Sequence, residues 1–524
     1  MTAVIPPPKT WSPPGPVGRL DVMLVGDTTF GENYQEERAS RGRENVLETH
    51  GYDHGFEQLD GLLEQADLVV ANLETPLTRR RSSPFADIRE FLHYSDPDLA
   101  PKHLIAHGIR AVTLANNHTH DFGEAGLLDT LQALEGSGLI VVGAGHNEHD
   151  AHEPLRVRAE IANPLGADSP FGMTLFNAFR AGRHFEHELR VFATADRPGV
   201  ANLRTADLPR RIERLRAERP DEFVVVVLHW LRDYQWRSDR QVQAARELTA
   251  AGADLVVGHG SHMLQEIEKI GGRWVVHGLG NFIFNSAGRY RRLGVPPYSL
   301  VARITVSPSR VLLRLYPIVT DNRRTGYQPR PVTTAELNEI WELLLARTNA
   351  PAEFRREFDL VPAPPYPHLA VVIGHRGDRS GAALRPRPRP QPRPEDAHLR
   401  PRPRPEVAAP VSDVPAAADA AVPAGPAQRR SGRRPRNAAL LAAELERRGI
   451  AVTWLDSNAM VAEADGVQLG YGFGVTHATG RAGVAVTHNR NFMRRLLVSA
   501  GLDVPRGRPF DGESGLEDAA VYAR

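Results

Sequence analysis

Five short segments of this chain carry residue types that hold metal ions: Gly26-Asp27, Asn72-Leu73-Glu74, Asn116-Asn117-His118, His229-Trp230 and Gly258-His259-Gly260-Ser261-His262. Each follows an apolar, β-rich run, at residues 21–25, 67–71, 111–115, 223–228 and 254–257. Taken singly they are ordinary. An Asp after Gly suits a turn or a helix cap, and paired Asn residues suit a turn. Five such clusters after five strands imply one crevice, because open α/β sheets bind ligands at the carboxyl ends of their strands. The chemistry suggested is that of two divalent cations, about 3.5 to 4 Å apart, which activate a water and clamp the oxygens of a displacement. Glu74 suits a bridging carboxylate. Asp27 and one of His259 and His262 suit the first ion, and Asn117, His229 and the other histidine suit the second. His118 is free to protonate a leaving group. His120 and Asp121 are expected behind it as orienting residues, and Asn72 and Asn116 belong to the same pocket. Manganese, iron, zinc and magnesium all tolerate this ligand set.

The elements that must position these residues follow from the pattern. Between residues 17 and 370, strand-like runs alternate with helical ones, the signature of a layered α/β domain. Leu127, Leu128, Leu131 and Leu134 predict one apolar helix face after the His118 cluster, and Val242, Ala245 and Leu248 a shorter helix between His229 and His259. Residues 273–277, 300–306 and 310–317 lack intervening helices and are expected to be antiparallel strands closing a second sheet.

The chain has 524 residues, 64 Lys plus Arg against 63 Asp plus Glu, and no cysteine. Its length implies more than one domain, and its balanced charge gives no general field for nucleic acid or membrane. Without thiols, disulfides and thiolate metal centres are excluded. Residues 1–16 are proline-rich and read as a disordered start, with no apolar core of signal-peptide length. No apolar run is long enough to span a bilayer, so a cytoplasmic location is expected. From 377 to 436 the composition shifts to Pro, Arg and Ala. Proline removes backbone donors, so this stretch predicts a disordered, extended tether, of which the twenty or so residues 385–405 would span roughly 60 Å. Its spaced arginines also suit an anionic polymer. Nucleic acid is disfavoured because no aromatic residues are interleaved to stack on bases. Residues 437–524 predict a small α/β module, with a helix around Leu440 to Leu445, a strand at 450–454 and a helix at about 490–500.

At these same positions the chain resembles the poly-γ-glutamate capsule biosynthesis family called CapA, a branch of the calcineurin-like metallophosphoesterase superfamily. The resemblance lies in Val25-Gly26-Asp27, Ala71-Asn72-Leu73-Glu74, the run from Leu114 to Gly123, His229-Trp230, Gly258 to Gln265, and Gly278 to Phe284 with Gly280-Asn281-Phe282 inside it. It implies a four-layer α-β-β-α sandwich with the metal site at the strand ends. Asp27, Glu74, Asn117, His229, His259 and His262 would be metal-site residues, with His118 beside them and Asp233 and Asn281 in the pocket. It implies a metal-dependent hydrolase acting on a phosphoester or an anionic polymer, with metal-activated water as the nucleophile, or else an accessory protein that binds the polymer. Where the family has Gly, a variable residue and Glu after His-Trp, this chain has Leu231, Arg232 and Asp233. Between the last two histidines, Gly260-Ser261 replaces the family's His-Pro. Residues 487–507 resemble the start of an ATP-grasp ligase of the cyanophycin synthetase type, with Arg490 where that family has Lys. They imply an incomplete ligase segment and a polyamide ligase as partner.

Overall fold

The computed structural model describes residues 9–163, 168–182, 184–204 and 208–376, and the backbone of 451–454, 459–464 and 467–472. Two compact units divide the chain, Met1–Pro392 and Arg393–Arg524.

The first unit is built around the strand Leu20–Thr29, in which every residue is buried. Leu68–Leu73, Ile109–Thr113 and Ile140–Val142 extend from one side of it in parallel. On its other side Tyr298–Val306 pairs antiparallel with residues 20–24, and the short strand Asn281–Phe284 pairs in parallel with Asp27 and Thr29. Arg310–Val319, His368–His375 and Phe358–Val361 continue this ten-stranded sheet. A second sheet of seven strands has a parallel centre of Ser169–Phe179, Phe223–His229, Leu255–His259 and Arg273–Val276.

Alternation along the buried strands decides the layering. Leu20, Val22 and Leu24 share one apolar cluster with Val225, Val227, Leu255 and Val257 of the other sheet. Met23, Val25, Val224, Val226, Leu228 and Val256 point the other way, into a cluster that includes helix residues. The helices Leu99–Ala106 and Gly123–Ser137 cover the first sheet, and Asp239–Ala251 covers the second. The result is the expected four-layer α-β-β-α sandwich. Truncating one of the fully buried leucines, such as Leu24, costs about 2 to 5 kcal/mol at such a site.

Three expectations change in detail. Leu127, Leu131 and Leu134 are buried, but Leu128 is 37% exposed, because a residue one step along a helix is turned by about 100° from its neighbour. The strands Tyr298–Val306 and Arg310–Val319 do not close a separate sheet; they form a hairpin added to the sheet that holds Asp27. Arg273–Val276 joins the second sheet, antiparallel to Ile267–Ile270 as expected but parallel to Leu255–His259 on its other side. Apolar periodicity identifies a strand and not the edge it joins.

In the second unit Ala451–Trp454, Ala459–Ala464 and Val467–Gly472 form an antiparallel three-stranded sheet. The strand expected at 450–454 lies there. The helices expected near Leu440 and at 490–500, and the stretch 377–436, fall outside the described residues. Among the described residues, no helix is long and apolar enough to cross a membrane.

Candidate metal centre

Strand ends from both sheets meet at the site. Asp27 is placed by an irregularity: the register between Leu20–Thr29 and Leu68–Leu73 shifts at Gly26, after which Asp27 stands opposite Asn72. Bulges of this kind re-aim a side chain. A Cβ on Gly26 would lie 1.9 Å from the Gly280 carbonyl oxygen, so only glycine fits. The Asp27 carboxylate accepts from Asn72 Nδ2 at 2.8 Å and from the Gly260 backbone N–H at 3.1 and 3.2 Å. Gly260 has φ +81°, and a Cβ there would lie 2.5 Å from His229 Nε2. His229 and His259 stand side by side in the parallel register of the second sheet.

Glu74 is wholly buried, and neither carboxylate oxygen has a hydrogen-bond partner. His229 Nε2 lies 3.6 Å and His118 Nε2 4.0 Å from Glu74 Oε1. Burial, reinforced by Asp27, pushes the Glu74 carboxyl well above its ordinary range. Asn117 Oδ1 is likewise buried without a partner. Asp27, Glu74 and His262 each offer a ligand atom within 4.8 Å of the others. His262 adopts φ 56°, and its Nδ1 meets Asn281 Oδ1 at 2.8 Å and Asp27 Oδ2 at 3.5 Å. Burial holds the His229 imidazole well below its ordinary value, with His259 adding to the effect, and so favours the neutral, metal-binding form. Buried acceptors without donors are costly, and a cation satisfies them. The donor set therefore fits a metal site.

His93, His118 and Asp121 form a second group within 4.8 Å of one another, but apart from His118 Nε2 their polar side-chain atoms already have protein partners. His118 Nδ1 donates to Asp121 Oδ2 at 2.7 Å, an assignment fixed by the acceptor-only carboxylate. The His93 backbone N–H donates to the same oxygen at 2.6 Å, and Arg89 Nη1 pairs with Asp121 Oδ1 at 2.5 Å. The His93 ring stacks on His118 at 3.5 Å, its Nδ1 donates to the Glu74 carbonyl oxygen at 3.0 Å, and its Nε2 meets the Tyr34 hydroxyl at 2.7 Å. Burial raises Asp121 to about 6 against the pull of Arg89. This is a positioning network that holds His118 with Nε2 on the Glu74 side.

The other residues expected at the site divide clearly. Asn72 joins Asp27 to the Thr113 and Asn116 side chains, and its Nδ2 reaches His229 Nδ1 at 3.4 Å. Asn116 secures the turn by accepting from the backbone N–H groups of His118 and Thr119. Asn281 orients His262. His259 spends Nε2 on the Val25 carbonyl oxygen at 3.2 Å, which leaves Nδ1 as its only lone pair. Asp121 reaches His118, whereas His120 bonds neither: its ring lies toward Phe85, and burial pushes it down to about 4. Asp233 stands at the exposed mouth against Arg289 at 3.1 Å. Arg89 and His93 were not legible as site residues, because residues 79–98 carry no strand or helix pattern and no metal-ligand spacing; Tyr34 lies in the helix Glu32–Ser40, where nothing in the pattern marks it.

Two facing mixed sheets, outer helices and a cluster of Asp, Glu, Asn and His at the strand ends define a four-layer α/β sandwich with a candidate metal centre. The family described as "Bacterial capsule synthesis protein PGA_cap" matches residues 21–286, a span that holds Asp27, Glu74, Asn117, His118, His229, His259 and His262; the chain belongs to this family. Among its relatives, "Capsule biosynthesis protein CapA" of Bacillus anthracis is 26% identical over 346 residues, 65% of this chain and 76% of that protein. A "Probable polyglutamine synthesis accessory protein" of Mycobacterium tuberculosis is 31% identical over 306 residues, 51% of this chain and 75% of that protein. Likeness to the solved calcineurin-like phosphoesterase YfkN from Bacillus subtilis is distant, with 13% identity, a TM-score of 0.34, and coverage of 60% of this chain and 89% of that one.

Proposed function

We propose that this protein is a metal-dependent hydrolase of anionic substrates, phosphoesters or a γ-linked glutamate polymer, serving capsule or related polyamide metabolism. The observation that carries this reading is the pair of unpartnered, buried Glu74 oxygens facing His229, beside Asp27 and His262. Asp27, Glu74, Asn117, His229, His262 and the free Nδ1 of His259 would hold up to two divalent cations. Such ions, when bound, supply Lewis-acid polarisation of a substrate oxygen and lower the pKa of water, the proposed nucleophile. His118 gives or takes a proton at Nε2, since Nδ1 is committed to Asp121. Arg89 and His93 keep Asp121 in place. Asn72 holds Asp27 and His229 in one frame.

A second reading is favoured by the name of the mycobacterial relative: an accessory protein whose fold holds the polymer without cleaving it. The resemblance of residues 487–507 to the start of an ATP-grasp ligase makes a polyamide ligase the partner class for either reading. The deciding experiment is turnover by manganese-loaded protein with phosphoesters and γ-glutamyl oligomers. Hydrolysis abolished in Asp27→Ala and His229→Ala supports the enzyme. No turnover, with polymer binding intact in both variants, supports the accessory role and overturns hydrolysis.

A further inference from the structure

The mouth of the pocket holds an arrangement that the metal chemistry does not use. Arg289 lies between two aromatic faces, with its guanidinium carbon 5.2 Å from the Phe91 ring centroid and 5.2 Å from that of Tyr234. The Tyr234 ring is itself 5.4 Å from the His262 ring, so one aromatic ring separates the guanidinium from a residue of the metal centre. Tyr234 is fixed there by a backbone N–H donated to the Ser261 carbonyl oxygen at 2.8 Å, inside the segment that bears His259 and His262. The only ion pair recorded for Arg289 among the described residues joins its Nη2 to Asp233 Oδ2 at 3.1 Å. Both partners reach solvent, Arg289 being 32% and Asp233 46% exposed.

A planar guanidinium held by its faces keeps its edge for a planar or tetrahedral oxyanion. An ion pair this exposed contributes little to stability, so a ligand's oxyanion can displace Asp233. We propose that Arg289 anchors an anionic oxygen group of the substrate at the pocket mouth, and that Asp233 occupies this anchor in the free protein. The ligand is a carboxylate or phosphate carried beside the bond that enters the metal centre. This rests on the anionic-substrate reading above and adds the residue that selects for it.

The test uses the full chain loaded with manganese, with a γ-glutamyl trimer and inorganic phosphate as probes in titration calorimetry. Arg289→Ala should weaken trimer binding about tenfold, and Arg289→Lys should retain part of the affinity because it keeps the charge but loses the fork. Asp233→Asn should tighten binding a few-fold by removing the internal competitor. Manganese affinity should be unchanged in all three variants. Weakening toward the trimer alone identifies a carboxylate reader, and weakening toward both probes a general oxyanion anchor; each supports the proposal. It is overturned if Arg289→Ala and Asp233→Asn bind as the wild type does, if Asp233→Asn weakens binding as much as Arg289→Ala, or if the wild type binds neither probe. Failure of the wild type to bind manganese would instead strike the metal reading, since the probe titrations are scored separately.

Discussion

Replacing Glu74 with Gln should reverse the stability order of two proteins depending on whether metal is present. Without metal, the wild type buries a carboxylate whose two oxygens have no hydrogen-bond partner, among Asp27 and Asp121 charges that oppose its ionisation. An unsatisfied buried polar group costs about 1 to 3 kcal/mol, more when charged. Glu74→Gln removes the ionisable group, so the metal-free variant should be the more stable by about 1 to 3 kcal/mol. At about 2 to 4 °C per kcal/mol this is a measurable rise in Tm. With manganese at a hundred times its Kd, the wild type gains about 2.7 kcal/mol by mass action. The variant, having lost a carboxylate that would hold the metal, should gain little, and the order inverts. The sign with pH follows from the raised pKa. Relative to its unfolded value, Glu74 destabilises the metal-free fold increasingly as pH rises through its folded pKa. The advantage of the variant should therefore shrink at pH values below about 4, where the unfolded carboxyl is also protonated. Thermal melts with and without manganese at pH 4 and 7 measure all of this. A metal-free variant that melts below the wild type, or manganese that raises both melts equally, would refute the account.

Other perturbations test the frame around the site. Gly260→Ala forces a Cβ into the space of His229 Nε2 and the Trp230 carbonyl at φ +81°; it should cost about 1 to 3 kcal/mol and weaken metal binding at least tenfold by calorimetry. Arg303→Ala strips the buried Asp21 carboxylate of its 2.9 Å partner at the end of the strand remote from Asp27. It should cost about 3 to 5 kcal/mol in urea melts while leaving metal affinity unchanged. Glu336, held down to about 2 by its hydrogen bond to Arg330, contributes stability above the ordinary carboxylate range that is lost as pH falls through its folded value. Glu336→Gln should therefore be less stable than the wild type at pH 7 and equal to it near pH 2.

The five strand-end clusters were legible because each polar group follows an apolar run, and the fold carries Asp27, Glu74, His118, His229 and His262 to one place. The layering was not legible from pattern alone. Leu20, Val22 and Leu24 face the second sheet while Met23 and Val25 face helices, yet both sets are equally apolar. Nothing in the sequence of the 298–319 hairpin says that it joins the Asp27 strand. The bulge at Gly26 was equally hidden, since it depends on how closely Gly280 approaches. Arg89 and His93 reach Asp121 only through the path of an irregular segment, which periodicity cannot read. His120, adjacent in sequence to the network, points out of it because successive residues of a tight turn diverge.

The central claim is that Asp27, Glu74, His229 and His262 would together hold divalent metal. Elemental analysis of the purified protein, paired with anomalous diffraction at the edge of the bound metal, tests it directly. The account predicts bound divalent metal with a peak adjoining both Glu74 oxygens, lost in Glu74→Gln. Protein that takes up no metal under saturating manganese, or a peak confined to His93, His118 and Asp121, would contradict it.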